Sequence, residues 1–318
     1  MQYHMLGKTG IEISAVILGT WQAGKSMWAG IEDSQTLRAI QAAVDSGITT
    51  IDTAEAYGEG HSEQMIARAV GHLRSSLVIA TKVHCHHLAF DQVVEACHRS
   101  LNNLKTDFID LYQIHWPSGS WGSRPVPVEE TMRAMNDLKR QGKIRAVGVS
   151  NFSEGQLREA LCFGPVESLQ PPYSLFWRHV ERDAAPFCRD NAISILAYSP
   201  MAQGLLTGKF GPDHRFAKKD HRRRNRLMQP EHFRRVQDAL SQLRPLAQQY
   251  GVSLGQLALA WVCAQPRTCA ITGVRDAVQA EENARAADIT LAPEDLAQMD
   301  AIGRTVTEHL DDDPVLWG

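Results

Sequence analysis

The stretch Ile48-Thr49-Thr50-Ile51-Asp52-Thr53-Ala54-Glu55-Ala56-Tyr57-Gly58 decides how the chain is read. Ile48 to Ile51 is β-branched throughout, as suits a buried strand. The run ends on an acid, Asp52, and five residues later Tyr57 stands beside a flexible Gly58. An acid at the C-terminal end of a strand, with a tyrosine on the following loop, is how an α/β protein builds a site.

Outward from this stretch, strand and helix patterns alternate. Short apolar strands are expected over 16–18, 48–52, 77–82, 108–115, 144–149, 166–170, 193–197 and 268–271. Residues 3–14 form a hairpin around Gly7-Lys8-Thr9-Gly10. Helical spacing follows each strand: after Asp33 or Ser34, then over 62–70, 91–104, 128–140 and, beyond a Ser153/Gln156 capping box, to 162. Further helices are expected over 181–190, over 231–250 with an interruption at Pro245, from a second capping box (Ser253, Gln256) to 263, and over 276–287 and 293–302. Regular βα alternation without a Pro/Ser-rich linker predicts one α/β domain over 1–318: a (β/α)8 TIM barrel with an N-terminal hairpin and extra C-terminal helices. A doubly wound sheet is the alternative.

Composition narrows the function. The 318 residues are 43% hydrophobic and 22% charged, enough for a large core; a formal charge of −3 gives no global argument for nucleic acid or an anionic membrane as partner, and the basic run 209–226 is too local to suggest nucleic acid. No apolar run reaches the roughly 20 residues that span a bilayer. Six scattered cysteines without a C-x-x-C pair, and no secretory signal, read as a reduced, cytoplasmic protein.

Asp52, Lys82, His115, Ser150, Gln170 and Tyr198 each stand at or just after the end of strands two to seven of the eight. That end is the catalytic face of a barrel, so six successive strands deliver six polar side chains to one mouth. Helix capping explains one or two such placements and not all six.

The order and spacing of the motifs resemble the aldo-keto reductases over nearly the whole chain. The resemblance runs from Leu6-Gly7-Lys8-Thr9-Gly10 through the Asp52–Gly58 stretch to Ile109-Asp110-Leu111-Tyr112-Gln113-Ile114-His115. It continues with Gly148-Val149-Ser150-Asn151-Phe152, Tyr198-Ser199-Pro200, Gly204-Leu205-Leu206-Thr207-Gly208-Lys209 and residues 279–283. It implies an enzyme that reduces an aldehyde, ketone or sugar-like carbonyl with NADPH, bound across the barrel mouth without a G-x-G-x-x-G loop. Tyr57 is then the general acid, with Lys82 lowering its pKa, Asp52 holding Lys82, and His115 bonding the substrate oxygen.

By the same resemblance Ser150, Asn151 and Gln170 bind the carboxamide of the nicotinamide and Tyr198 stacks on its ring. Ser199, Met201, Gly204 and Lys209 line the cofactor's pyrophosphate, and Thr20, Trp21 and Pro200 are further cofactor contacts. Gly273, Arg275, Gln279, Glu282 and Asn283 hold the adenosine end, Arg275 on the 2′-phosphate. Asp276 departs from the family pattern and opposes a preference for NADP over NAD. Trp21, Trp28 and Trp116 are expected to line the substrate mouth, with Trp121 and Phe176 contributing. Potassium-channel β subunits share the fold, so a cofactor-sensing subunit is the rival reading.

Two further patterns carry other expectations. Gly19-Thr20-Trp21-Gln22-Ala23-Gly24-Lys25-Ser26 matches the P-loop pattern, but residues 27–30 separate it from the next helix signal, against the requirement that a helix open at the Lys-Ser. His84-Cys85-His86-His87 lacks a second ligand cluster and reads as a polar loop without a metal. The run 209–226, with eight Lys/Arg against two Asp, is expected either to fold over the cofactor phosphates or to lie solvated.

Overall fold

The computed structural model describes residues 1–310 apart from 27, 29, 212–213 and 217–219. An antiparallel hairpin, β1 (Tyr3–Met5) and β2 (Glu12–Ser14), opens the chain. The parallel strands that follow are β3 (Val16–Gly19), β4 (Thr50–Asp52), β5 (Val78–Val83), β6 (Ile109–Ile114), β7 (Ile144–Ser150), β8 (Ser168–Gln170), β9 (Ser194–Tyr198) and β10 (Thr268–Gly273). Each bonds to the next and β10 pairs with β3, so the sheet closes into a barrel. Around it run α1 (Asp33–Asp45), α2 (His61–Val70), α3 (Phe90–Leu104), α4 (Val128–Arg140), α5 (Glu154–Leu161), α6 (Ala184–Asn191), α7 (Pro230–Gln249), α8 (Leu254–Cys263), α9 (Ala277–Arg285) and α10 (Pro293–Thr307). Helices α7 and α10 are additional to the βα repeat and pack on each other. No helix among the described residues is long and apolar enough to cross a membrane.

Side-chain parity sorts the strands into two cores. Val16, Leu18, Ile51, Ile79, Tyr112, Val147, Leu169, Ile195 and Ala197 face outward into the layer beneath the helices. Ile17, Val78, Ala80, Leu111, Ala146, Leu196, Cys269 and Ile271 face inward and form a separate cluster with Leu6, Ile11 and Ile13 of the hairpin. The hairpin is therefore the floor of the barrel. Each of its three buried side chains contributes about 1.5–3 kcal/mol by leaving water. Continuing the inward parity toward the strand ends, the apolar residues give way to Asp52, Lys82, Gln113, Ser150, Gln170 and Tyr198. The interior is apolar below and polar above.

The expected strands and both capping boxes are present; Ser153 and Ser253 each accept the N–H of the residue three further on. One expectation is corrected. Helix α7 runs unbroken through Pro245 instead of stopping there. Proline in a helix costs about 3 kcal/mol, but Leu240, Leu243, Leu246 and Ala247 are buried on one face. Their burial outweighs the lost backbone bond.

Gly148, the partner of Gln113 across β6 and β7, shows how tightly the interior is filled. A Cβ there would lie 2.3 Å from Ser168 Oγ and 3.0 Å from Gln113 Cγ. Gly148→Ala is expected to lower unfolding stability by about 1–3 kcal/mol, read from a denaturant titration. A midpoint unchanged from wild type would show that the layer can absorb a methyl group.

Candidate active site

The polar upper layer converges on Lys82, whose side chain is fully buried. Its Nζ donates to Asp52 Oδ1 at 2.6 Å and to the Thr53 carbonyl at 2.7 Å, and lies 3.5 Å from Tyr57 Oη. Asp52 Oδ2 accepts from Gln170 Nε2 at 2.8 Å and from Gln113 Nε2 at 3.2 Å. Gln113 was not anticipated from the sequence. Its signal was parity: it sits two residues before His115 on β6, on the inward face with Leu111.

Tyr57 is held by a close backbone crossing. The loop bearing it packs on the 3-10 turn Trp21–Gly24, and a Cβ on Gly24 would come within 2.6 Å of the Tyr57 carbonyl carbon. One on Gly58, at φ +64°, would lie 2.5 Å from Gly24 O. Only glycines permit this approach. The Tyr57 ring stands edge-on to His115, centroids 5.7 Å apart, and 6.4 Å from Trp21.

Burial pushes the Tyr57 phenol well above its ordinary value, and the Asp52 carboxylate adds to the rise. The net direction is thus upward, with burial its largest cause, while the lowering expected from Lys82 is a separate contribution that burial outweighs. The ammonium already faces Asp52 and the Thr53 carbonyl, and desolvation dominates. Burial also lowers Lys82 from its ordinary value, with Asp52 opposing. His115 is held well below its usual range by burial first, then by Lys82 and His84. The phenol is protonated and the imidazole neutral at pH 7.

The remaining polar residues of the mouth are linked. Ser150 Oγ donates to Gln170 O at 2.7 Å. Asn151, at φ +62°, donates from Nδ2 to His115 O and Ser150 Oγ, both at 3.0 Å, and its Oδ1 accepts from Tyr198 Oη at 2.8 Å. Thr20 is buried; its hydroxyl bonds Asp52 O and accepts from Ser62, so it anchors the end of β4. Past Tyr198, the loop places Ser199, Ala202 and Gln203 at positive φ, with Gly204 at +96°. Met201 Sδ would lie 3.4 Å from a Cβ on Gly255; Pro200 is buried and Lys209 exposed.

At the far end, Gly273 lies beside Gln22, whose Oε1 is buried without a partner. Gln22 is a second residue that the sequence did not single out. The Lys209 ammonium is lowered first by its partial desolvation and then by the repulsion of Arg222 and Arg275, so three cations share one region. Arg222 is bound to Asp220 and packs over Phe216, Trp28 and Phe210 at 4.6, 5.4 and 5.6 Å. The basic run is folded over the mouth at this point; its Lys218, Lys219 and Asp213 lie outside the described residues. Arg275 lies 5.8 Å over Trp28. Asp276 caps α9, accepting from Gln279 N at 2.9 Å and Nε2 at 3.0 Å, while Gln279 Oε1 accepts the Arg275 N–H. Asn283 is buried, and Glu282 is exposed with its carbonyl bound to Gln256.

Of the aromatic residues, Trp21 and Trp28 pack edge to face at 5.3 Å, as do Trp116 and Trp121. Phe176 is fully buried and lines no mouth, a correction to its expected place. The P-loop-like stretch opens no helix: Lys25 pairs with Asp33 at 2.7 Å, and α1 begins only at Asp33.

Comparisons with known proteins agree with this geometry. The pattern describing the aldo/keto reductase family matches residues 15–304. The chain is 38% identical to the aldo-keto reductase YhdN of Bacillus subtilis, covering 99% of this chain and 96% of that one. It is 34% identical to the NADH-specific methylglyoxal reductase of Escherichia coli, covering 92% and 96%. Among solved structures, the glycerol dehydrogenase AKR11B4 of Gluconobacter oxydans superposes with a TM-score of 0.88 at 32% identity, covering 99% of each chain. An aldo-keto reductase of Klebsiella pneumoniae in complex with NADPH superposes at 0.75 with 30% identity, again covering 99% of each. With the barrel, the polar layer and these relatives in agreement, the chain belongs to the aldo/keto reductase family of oxidoreductases.

Proposed function

We propose that the protein is a cytoplasmic, NADPH-dependent reductase of small carbonyl compounds, with Tyr57 as the proton donor. The observation that carries this reading is Lys82 Nζ, buried between Asp52 at 2.6 Å and Tyr57 Oη at 3.5 Å. Six unpaired cysteines fit a reducing compartment.

The residues present fit a dinucleotide phosphate. Arg222 and Arg275 both repel the Lys209 ammonium, and a 2′-phosphate among them relieves that repulsion. The orphaned Gln22 Oε1 beside Gly273 accepts a donor from a bound group. Ser150, Asn151 and Gln170 present polar groups for a carboxamide, and Tyr198 offers its ring. When bound, the nicotinamide supplies the hydride. The chain's own residues then manage charge. Tyr57 donates its proton to the oxygen that becomes negative, and Lys82 stabilises the tyrosinate left behind. Neutral His115 hydrogen-bonds the same oxygen, and Trp21, Trp28 and Trp116 give the carbonyl an apolar approach.

Tyr57→Phe is expected to retain NADPH binding and lose about 10²–10⁴ in kcat, because the phenol proton is needed only in the transition state. Reduction by the wild type should be flat through neutral pH and fall only above about pH 10. The sign follows from the raised pKa: the donor form persists to higher pH than in free tyrosine. Near-normal kcat in the variant would remove Tyr57 from this role.

Lys82→Met is expected to cut kcat by about 10² or more. It also strands the Asp52 carboxylate, at a stability cost of roughly 3–5 kcal/mol. The Lys82→Met/Asp52→Asn double variant should regain much of that stability without regaining the rate. Recovery of kcat in the double variant would reduce Lys82 to a structural partner.

Arg275→Ala should weaken NADPH by about 1.5–3 kcal/mol and leave NADH nearly unchanged. Asp276→Ser keeps a capping residue and should shift preference further toward NADPH. Titration of both cofactors decides; equal losses for NADH and NADPH in Arg275→Ala would place the arginine on adenine or on the fold.

A further inference from the structure

The turn after β5 carries a cluster that the reduction chemistry does not use. His84, Cys85 and His86 each offer a ligand atom, and all three atoms lie within 4.8 Å of one another. His84 Nδ1 and His86 Nδ1 are 3.0 Å apart on stacked rings, and Cys85 Sγ is 3.8 Å from His86 Nδ1. Two imidazole lone pairs at this separation repel unless something positive lies between them, either a proton on one ring or a cation. The backbone N–H of His86 donates to His84 Nδ1 at 3.5 Å, which favours the tautomer with that nitrogen unprotonated; this long bond is the one a cation displaces.

We propose that His84, Cys85 and His86 form a binding site for a single soft divalent cation such as zinc at the rim of the barrel mouth. Two nitrogens about 2.05 Å from one tetrahedral zinc lie about 3.3 Å apart, and a nitrogen and a sulfur about 3.6 Å apart. The two observed separations, 3.0 and 3.8 Å, lie within a few tenths of an ångström of these, and the rings, parallel to within 5°, must also turn so that both lone pairs meet at the ion. The third, from Cys85 Sγ to a ring nitrogen of His84, is within 4.8 Å and must shorten by at most about 1.2 Å, by a thiol rotation that exchanges its present bond to Ser120 O at 3.5 Å for the metal. The thiol loses its proton as the metal–sulfur bond forms. Imidazole and thiolate ligands select zinc or copper over magnesium or calcium.

The turn is already braced. Glu55 Oε1 accepts the His84 N–H at 2.8 Å and pairs with His87 Nδ1 at 2.9 Å, and Glu55 Oε2 is held by Arg99 at 3.0 Å. His87 is therefore turned to Glu55. His86 is exposed, which leaves a fourth position for water or an exchangeable ligand. The His84 ring is 6.3 Å from that of His115, so the cation sits at the edge of the proposed carbonyl site. The expectation of a metal-free polar loop rested on the want of a second ligand cluster; here one turn brings three ligands together.

The test uses untagged full-length protein stripped with a chelator, titrated with zinc against a chromophoric chelator and, separately, with cobalt followed by absorbance. One high-affinity zinc and a thiolate-to-cobalt charge-transfer band are expected. Cys85→Ser should abolish the band, and Cys85→Ser and His86→Ala should each weaken zinc by about 100-fold. His87→Ala should bind as wild type does. His86 is exposed, so its variant reports even if Cys85→Ser perturbs the buried side of the turn. The proposal is overturned by a cobalt band that survives Cys85→Ser, by zinc affinity unchanged in His86→Ala, or by an equal loss in His87→Ala.

Discussion

The structure depends on one buried ion pair. Lys82 and Asp52 meet inside the barrel, the lysine fully buried and the aspartate nearly so. Removing two such charges from water costs several kcal/mol each, and their attraction repays this only when the remaining donors and acceptors are satisfied. Here they are: the Thr53 carbonyl takes a second lysine proton, and Gln113 and Gln170 both serve the second carboxylate oxygen. These partners come from β6, β8 and the end of β4, so the pair can form only when the barrel has closed in register. The same burial raises Tyr57 and lowers His115. The electrostatics of the mouth and the closure of the sheet are one constraint.

That constraint explains the division of the interior. A layer of charge and amide groups cannot also supply the hydrophobic driving force. The lower half does so, with Leu6, Ile11 and Ile13 of the hairpin sealing it against water. Gly148 shows the junction between the halves. Its missing side chain leaves room for Gln113 and Ser168 on neighbouring strands, and through Gln113 it supports Asp52.

What was legible in the sequence follows from the same geometry. Strand positions show as short apolar runs, and Asp52, Lys82, His115, Ser150, Gln170 and Tyr198 were visible because each ends a run. Gln113 was hidden inside its run, where an inward amide looks like any interruption of an apolar strand. The structural part of Thr20, whose hydroxyl ties the end of β4 to Ser62, was equally hidden, because no local pattern records a bond between residues so far apart in the chain. Pro245 misled because a local breaker was weighed without the apolar face that carries α7 across it. The direction of the Tyr57 shift was illegible for a different reason. It depends on how much water the folded mouth excludes, and no spacing of residues records that.

The groups around Lys82 and those around Arg275 lie in different parts of the molecule. Asp52, Lys82 and Gln113 hang from strands whose register leaves them little freedom, and Tyr57 from a loop pinned where Gly24 meets Gly58, whereas Arg275 and Asp276 lie at the exposed start of a helix. There the demands of folding and of binding compete. Helix α9 needs a short polar side chain before Ala277, and Asp276 fills that need by accepting both the main-chain and the side-chain donor of Gln279. An acid beside Arg275 therefore has a structural cause independent of any cofactor. Because its oxygens are turned toward the positive end of the helix, part of its charge is already offset there. Arg222, which also packs over Trp28, adds positive charge to the same region. The field at Arg275 is thus less negative than the residue order suggests, and the arginine keeps its capacity to hold an anion.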